Sequence, residues 1–186
     1  MQKELPVRKY IRLKNYDYSQ YGPYFVTFCV EDKCQILGDI VVGSGFHARP
    51  QVELTDIGRE TQKTIEYITS NDQRIEISQY IIMPNHVHMI VILNDIGIGD
   101  DVVGIGNNAV GVSDNAVGHG SPTLQSVVGR IKSYTAKQFS EICGTKYQTI
   151  WQRSYHEHII RNEVEYEKIS KYIDENPTNW ETDRYF

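Results

Sequence analysis

A chain of 186 residues with 40% hydrophobic and 23% charged residues has the size and composition of one globular domain with a full core. No run approaches the roughly 18 apolar residues of a membrane span, and Met1-Gln2-Lys3-Glu4-Leu5-Pro6 has no apolar signal region, so a cytoplasmic protein is expected. The net charge of -5 argues against indiscriminate nucleic-acid binding, and three cysteines, Cys29, Cys34 and Cys143, argue against a disulfide framework.

Residues 1–23 are polar, basic and tyrosine-rich and close on the turn signal Tyr21-Gly22-Pro23; they read as an N-terminal basic arm. Residues 24–180 read as one domain and 181–186 as a tail. Tyr24–Val30, aromatic and β-branched, predicts the first strand. The tract from Glu31 to Val52 reads as irregular, with a short strand around Ile36–Val42. A helix follows from about Asp56 to Ile68, capped by Thr55 or Asp56, with Ile57, Thr61, Ile65 and Ile68 at helical spacing. Gly58 in its first turn weakens it slightly.

Ile75–Met83 and His86–Leu93 predict two strands joined by a tight turn at Pro84-Asn85. Alternation on a strand sends His86 and His88 to one side with Ile90 and Ile92, and Val87, Met89, Val91 and Leu93 to the other. A strand apolar on both faces is a central strand, and two imidazoles on one face at its mouth are spaced to hold one metal ion.

Residues 94–121 divide into four seven-residue units, with Gly97, Gly104, Gly111 and Gly118 in register and four aspartates against no Lys or Arg. Glycine at this frequency defeats a coiled coil, so the segment reads as a low-complexity insert interrupting the domain. Ser121-Pro122 then predicts a helix start, the apolar stripe Leu124, Val127, Val128, Ile131, Thr135, Phe139 and Ile142 a helix to about Cys143, and Gly144 its end. Thr149–Ile160 predicts the fourth strand. Asn162, with Glu165 at the capping-box position, opens a last helix that Pro177 ends. Residues 1–14 and 124–161 each carry a net charge of +4, two basic segments that could share a polyanion-binding face.

The order strand, helix, strand, strand, helix, strand matches the split βαβ pattern of an α+β, ferredoxin-like antiparallel sheet with helices on one face. The seventh element is an extra C-terminal helix carrying a tyrosine. There Tyr172 and Asn176 are four apart on one face. Brought near the two histidines, a phenol and an amide oxygen would complete a metal-assisted nucleophile site for phosphoryl transfer. Nearby positive charge or a metal should help deprotonate the phenol, whose free pKa is near 10. Tyr134 is a rival nucleophile, disfavoured because only Gln138 stands four residues on.

Met83-Pro84-Asn85-His86-Val87-His88 resembles the His-hydrophobic-His (HUH) motif of single-tyrosine transposases. The segments Ile150–Arg161 and Tyr172-Ile173-Asp174-Glu175-Asn176-Pro177, with Tyr16-Asp17-Tyr18 and Gly22–Thr27, resemble the branch called REP-associated tyrosine transposases. The resemblance covers about 8 to 180 except 94–121. It implies a metal-dependent endonuclease and strand transferase, dimeric and nucleoid-associated, acting on single-stranded DNA at palindromic hairpins through a covalent 5′-phosphotyrosine. By position it makes His86, His88 and Asn176 ligands of a divalent Mg2+ or Mn2+ and Tyr172 the nucleophile. Arg130, Lys132, Lys137, Arg153 and Arg161 are then expected at phosphates, and Tyr10 and Tyr16 stacked on unpaired bases. The rivals are a histidine-triad nucleotide enzyme, which Ile90 in place of a third histidine argues against, a plasmid-type replication nickase, and a non-catalytic hairpin-binding protein that retains the fold.

Overall fold

The computed structural model describes residues 21–44, 48–95, 122–146, 148–183 and 185. The insert from 96 on, and Tyr10 and Tyr16 of the arm, lie outside the described residues. A four-stranded antiparallel sheet is built from β1 (Gly22–Cys29), β4 (Ile75–Met83), β5 (His86–Leu93) and β6 (His156–Ile159), in the order β4-β5-β1-β6. This is the split βαβ order: β5 lies between β4 and β1, so the helix α1 (Asp56–Asn71) crosses over the sheet, and α2 (Leu124–Cys143) makes the second crossover.

The alternation in β5 divides the core as the sequence predicts. Val87, Met89, Val91 and Leu93 join Tyr24, Val26 and Phe28 of β1 under α1 and α2. Ile90 and Ile92 lie on the opposite face, with Phe25, Ile81, Ile160 and the residues Ile169 and Ile173 of α3 (Glu163–Glu175). Helices α1 and α2 thus share one face, and the extra helix α3 covers the other.

A bulge sets how α3 docks. The register of β4 against β5 slips between Ile77 and Gln79, so that Ile75 and Ile77 before it, and Ile82 after it, all reach the α1 side. The displaced residues turn to α3: the hydroxyl of Tyr166 donates to Ser78 Oγ at 2.9 Å, and Gln79 Nε2 donates to Ser170 O at 3.1 Å and Asp174 Oδ1 at 2.7 Å.

Local departures from the expected elements have physical causes. The short strand expected around Ile36–Val42 is β2 (Gly38–Val42), and it pairs with a strand that was not expected, β3 (Pro50–Leu54), whose leading proline hid it. Gly58 is a packing requirement, since a Cβ there would lie 1.9 Å from Leu37 O. Thr55 caps α1, accepting from Gly58 N. In α2 the cap is Thr123, not Ser121: Thr123 and Ser126 exchange hydrogen bonds in a capping box. Gly144, at φ 63°, ends that helix as expected, while Ile142 falls off the stripe and is exposed.

The fourth strand is shorter than the reading Thr149–Ile160. Residues 150–154 are held by separate bonds instead, Glu31 N to Ile150 O and Gln152 N to Cys29 O, with an isolated bridge between Val30 and Trp151. In α3, Asn162 Oδ1 accepts from Glu165 N at 2.9 Å, but the Glu165 carboxylate accepts from Arg161 N, one residue earlier than a capping box requires. The α-helix does end just before Pro177, at Glu175, but not because the residue ahead of the proline leaves the helical region. Asn176 keeps helical angles (φ -57°, ψ -43°) and the chain tightens into a 3-10 turn over Asn176–Thr182; proline at the start of that turn needs no N–H partner. No helix of the described residues is long and apolar enough to cross a membrane.

Candidate active site

The site lies where β5 begins. His86 and His88 are fully buried, on the α3 face, with their Nε2 atoms 3.0 Å apart. Each ring is held from behind. The Asn85 amide donates through Nδ2 to Tyr185 O at 2.9 Å, which turns its Oδ1 to His86 Nδ1 at 2.7 Å. Nδ1 is therefore the protonated nitrogen, and the lone pair of His86 sits on Nε2. Thr27 Oγ1, across the sheet, lies 2.7 Å from His88 Nδ1. Burial pushes the pKa of His86 down to about 4, with Asp183 and Asn176 pulling the other way, so the ring is neutral at ordinary pH. A neutral His86 whose Nε2 lies 3.0 Å from that of His88 presents a ready seat for a cation.

The α3 side completes the group. The phenol of Tyr172 lies 3.2 Å from His88 Nε2 and donates to Asp183 Oδ2 at 3.0 Å. Its ring packs edge-on against His88 and Phe25, and Phe25 stacks on His88. Asn176, fully buried, donates through Nδ2 to Asp183 Oδ2 at 2.9 Å, while its Oδ1 has no hydrogen-bond partner. An orphaned buried amide oxygen costs stability unless something binds it. His86, His88 and Asp183 have ligand atoms within 4.8 Å of one another. Imidazole, amide and carboxylate donors converging on one point could hold a metal ion.

The phenol is not activated by its protein neighbours. Burial first, then the Asp183 charge, hold the Tyr172 pKa above the ordinary phenol range. No cationic side chain among the described residues lowers it, so the positive charge would have to come from a bound cation. Tyr172 is nonetheless over a third exposed, which leaves its oxygen reachable from solvent.

Asn85, Asp183 and Tyr185 escaped the sequence reading. Asn85 was read as a turn residue. Asp183 and Tyr185 fall in the segment read as a tail, yet the Tyr185 ring lies 5.1 Å from that of His86 and 5.5 Å from that of His88. Only the 3-10 turn carries Asp183 back over Tyr172, and no periodicity announces a 3-10 turn.

The basic residues divide into three groups. Arg130 and Lys137 lie on α2, across the sheet from the histidines, near Asp72 and Glu141 at 3.9 and 4.0 Å. Tyr134, on the same helix, is far from the histidine face. Arg153 and Arg161 are exposed and flank β6, the strand beside β1. Lys132 is turned inward: its ammonium donates to Gln152 O and Ser154 O, both at 2.9 Å, and burial pushes its pKa down to about 8.

No protein-family model matches the chain. An uncharacterized protein of Haemophilus influenzae is 33% identical over 182 residues, 96% of this chain and 93% of that one. The chain belongs to the family of that protein. The fold of this chain has a solved counterpart, the structure of a REP-associated tyrosine transposase bound to a REP hairpin. It superposes with a TM-score of 0.55 at 22% identity, over 91% of this chain and 74% of that one. The family member described here therefore has the fold of that transposase.

Proposed function

We propose that the protein is a metal-dependent, REP-associated type of tyrosine transposase that cuts and rejoins single-stranded DNA at hairpins. The observation that carries the reading is the approach of Tyr172 Oη to within 3.2 Å of His88 Nε2 inside one chain. His86, His88, the orphaned Asn176 Oδ1 and Asp183 are the residues that would hold the ion. Two imidazoles with oxygen donors suit Mn2+ better than Mg2+. When bound, the ion would draw charge from a phosphate and favour the phenolate.

The chain's own residues then do the following. Tyr172 Oη attacks the scissile phosphorus while its proton passes to the Asp183 carboxylate, the group that already accepts it. The bond from phosphorus to the departing 3′ oxygen breaks, and that oxygen takes a proton from solvent, leaving a free 3′-hydroxyl and a 5′-phosphotyrosine. A 3′-hydroxyl later attacks that ester and releases Tyr172. One phosphoester is exchanged for another, so no water or nucleotide is consumed. Phe25 and Tyr185 pack the imidazoles and keep bulk solvent from them. Arg153 and Arg161, at the two ends of β6, and Arg130 and Lys137 on α2 are the candidate phosphate contacts. The reading extends to a nucleoid-associated homodimer, with 24–180 as the working domain; both histidines and the tyrosine come from one chain, so each copy would carry a whole site.

The test is a labelled hairpin with single-stranded flanks, incubated with protein and Mn2+. A denaturant-resistant adduct is expected, absent with chelator and absent in Tyr172→Phe. Hairpin binding with no adduct under any metal would replace the reading with that of a non-catalytic hairpin-binding protein.

A further inference from the structure

Lys132 belongs to the second basic segment, yet its surroundings are not those of a phosphate ligand. Two of its three N–H donors are spent on Gln152 O and Ser154 O, each at 2.9 Å. Its charge also lies over two rings, Phe28 at 5.6 Å and Tyr155 at 5.7 Å. One turn of α2 later, Thr135 Oγ1 accepts from Trp151 Nε1 at 2.7 Å, and Thr135 is fully buried. Gln152 N donates to Cys29 O at 2.9 Å. The stretch from Trp151 to Ser154 is thus tied down at four points, three of them from α2.

The residue in the middle of that stretch is Arg153, and its side chain is exposed. The carbonyls on either side of it, those of residues 152 and 154, are the two that Lys132 grips. The location matters as well. Cys29, which receives the Gln152 N–H, pairs with His86 across the sheet. His156, just after the stretch, pairs with Thr27, and its ring is 5.9 Å from that of Tyr185. The gripped turn therefore stands at the end of the sheet where the histidine pair and Tyr172 meet.

We propose that Lys132 is a positioning residue: by gripping the 152–154 turn it aims Arg153 at a DNA phosphate near the one that Tyr172 attacks. The inference rests on the proposed function for its substrate, DNA, and adds a division of labour among the basic residues. Lys132 does not touch DNA. It removes the conformational freedom that a guanidinium on a short exposed turn would otherwise lose on binding.

Two measurements test this on the full-length protein. The first needs no DNA. Hydrogen exchange across 148–156 should speed up in Lys132→Met and in Thr135→Val, which loosens the turn from its second anchor, and stay as in wild type in Arg153→Ala. The second is binding of a fluorescent hairpin over a range of salt concentrations. Arg153→Ala should weaken binding about tenfold and make the slope of log K against log salt shallower by about 0.7–0.9, the signature of one lost phosphate. Lys132→Met should reproduce most of that loss, and Lys132→Met/Arg153→Ala should bind no worse than Arg153→Ala alone.

Each opposite result overturns the proposal. Unchanged exchange in both Lys132→Met and Thr135→Val would mean the turn is not gripped. Losses that multiply in the double variant would mean that Lys132 meets DNA itself. Wild-type protein that binds no hairpin, with the exchange pattern as expected, would remove the proposed function, and the role of Arg153 with it, while leaving the grip on the turn standing.

Discussion

The two faces of the central strand β5 do different work. On the α1 and α2 side, Val87, Met89, Val91 and Leu93 sink into a broad apolar core with residues from β1, β4 and both helices. On the α3 side, among the described residues, Ile90, Ile160 and Ile173 form a small buried cluster. Beyond it the same face turns polar at Thr27, His86, His88 and Asn176, all buried. One strand thus supplies the core with one face and the candidate site with the other. The polar face tolerates its buried imidazoles because each Nδ1 has a partner behind it.

Substitutions on one face should leave the other's property alone. The largest stability effect is expected from Met89→Ala, which empties a fully buried position on the α1 and α2 side. It should cost about 2–5 kcal/mol in urea unfolding while metal affinity of the folded protein stays within about twofold. A loss of metal binding in folded Met89→Ala would show that the faces are coupled.

The next effect is in pH. His86 is neutral in the folded state down to about pH 4, while its unfolded value is 6.5. Between these values the unfolded chain binds the extra proton, so stability rises with pH across that window. Metal-free protein should have the full contribution of this group above pH 6.5 and lose up to about 3 kcal/mol on descending to pH 4. Urea midpoints for wild type and His86→Gln across that range should converge toward the acid end.

A smaller change is expected from Asp183→Asn, which keeps the shape but removes the charge beside Tyr172 and Asn176. Metal affinity or adduct formation should fall about 10–100-fold, with the unfolding midpoint nearly unchanged. The smallest is Asn162→Ala, the cap of α3. It should cost about 1 kcal/mol in unfolding, and adduct formation should drop only in proportion to any unfolded fraction.

The sequence was most readable where a period ran unbroken. Alternation in β5 gave both faces correctly, the helical stripes of α1 and α2 named most of their buried residues, and the strand-helix order gave the α+β sheet. What alternation and helical spacing miss is anything set by a single hydrogen bond or a short turn. Strand β3, the bulge at Ser78 and the 3-10 turn after α3 have no period to detect. At the site, His86, His88, Tyr172 and Asn176 could be singled out because strand and helix spacing groups them in pairs. Asp183 reaches them only through the 3-10 turn, and Asn85 reveals its work only once Tyr185 O fixes its amide. Lys132 counted as one more positive charge until its carbonyl partners were seen.

The register of β5 has a consequence for how this protein can vary. His86 opens the strand and Leu93 closes it against Gly22 and Ile75, roughly 25 Å away at the usual rise per residue. The glycine-rich repeat joins the chain just after Leu93, at the pole of the sheet remote from the imidazoles. Seven-residue units could be gained or lost there by replication slippage without disturbing the working end, and the same junction is where a reporter domain could be spliced in.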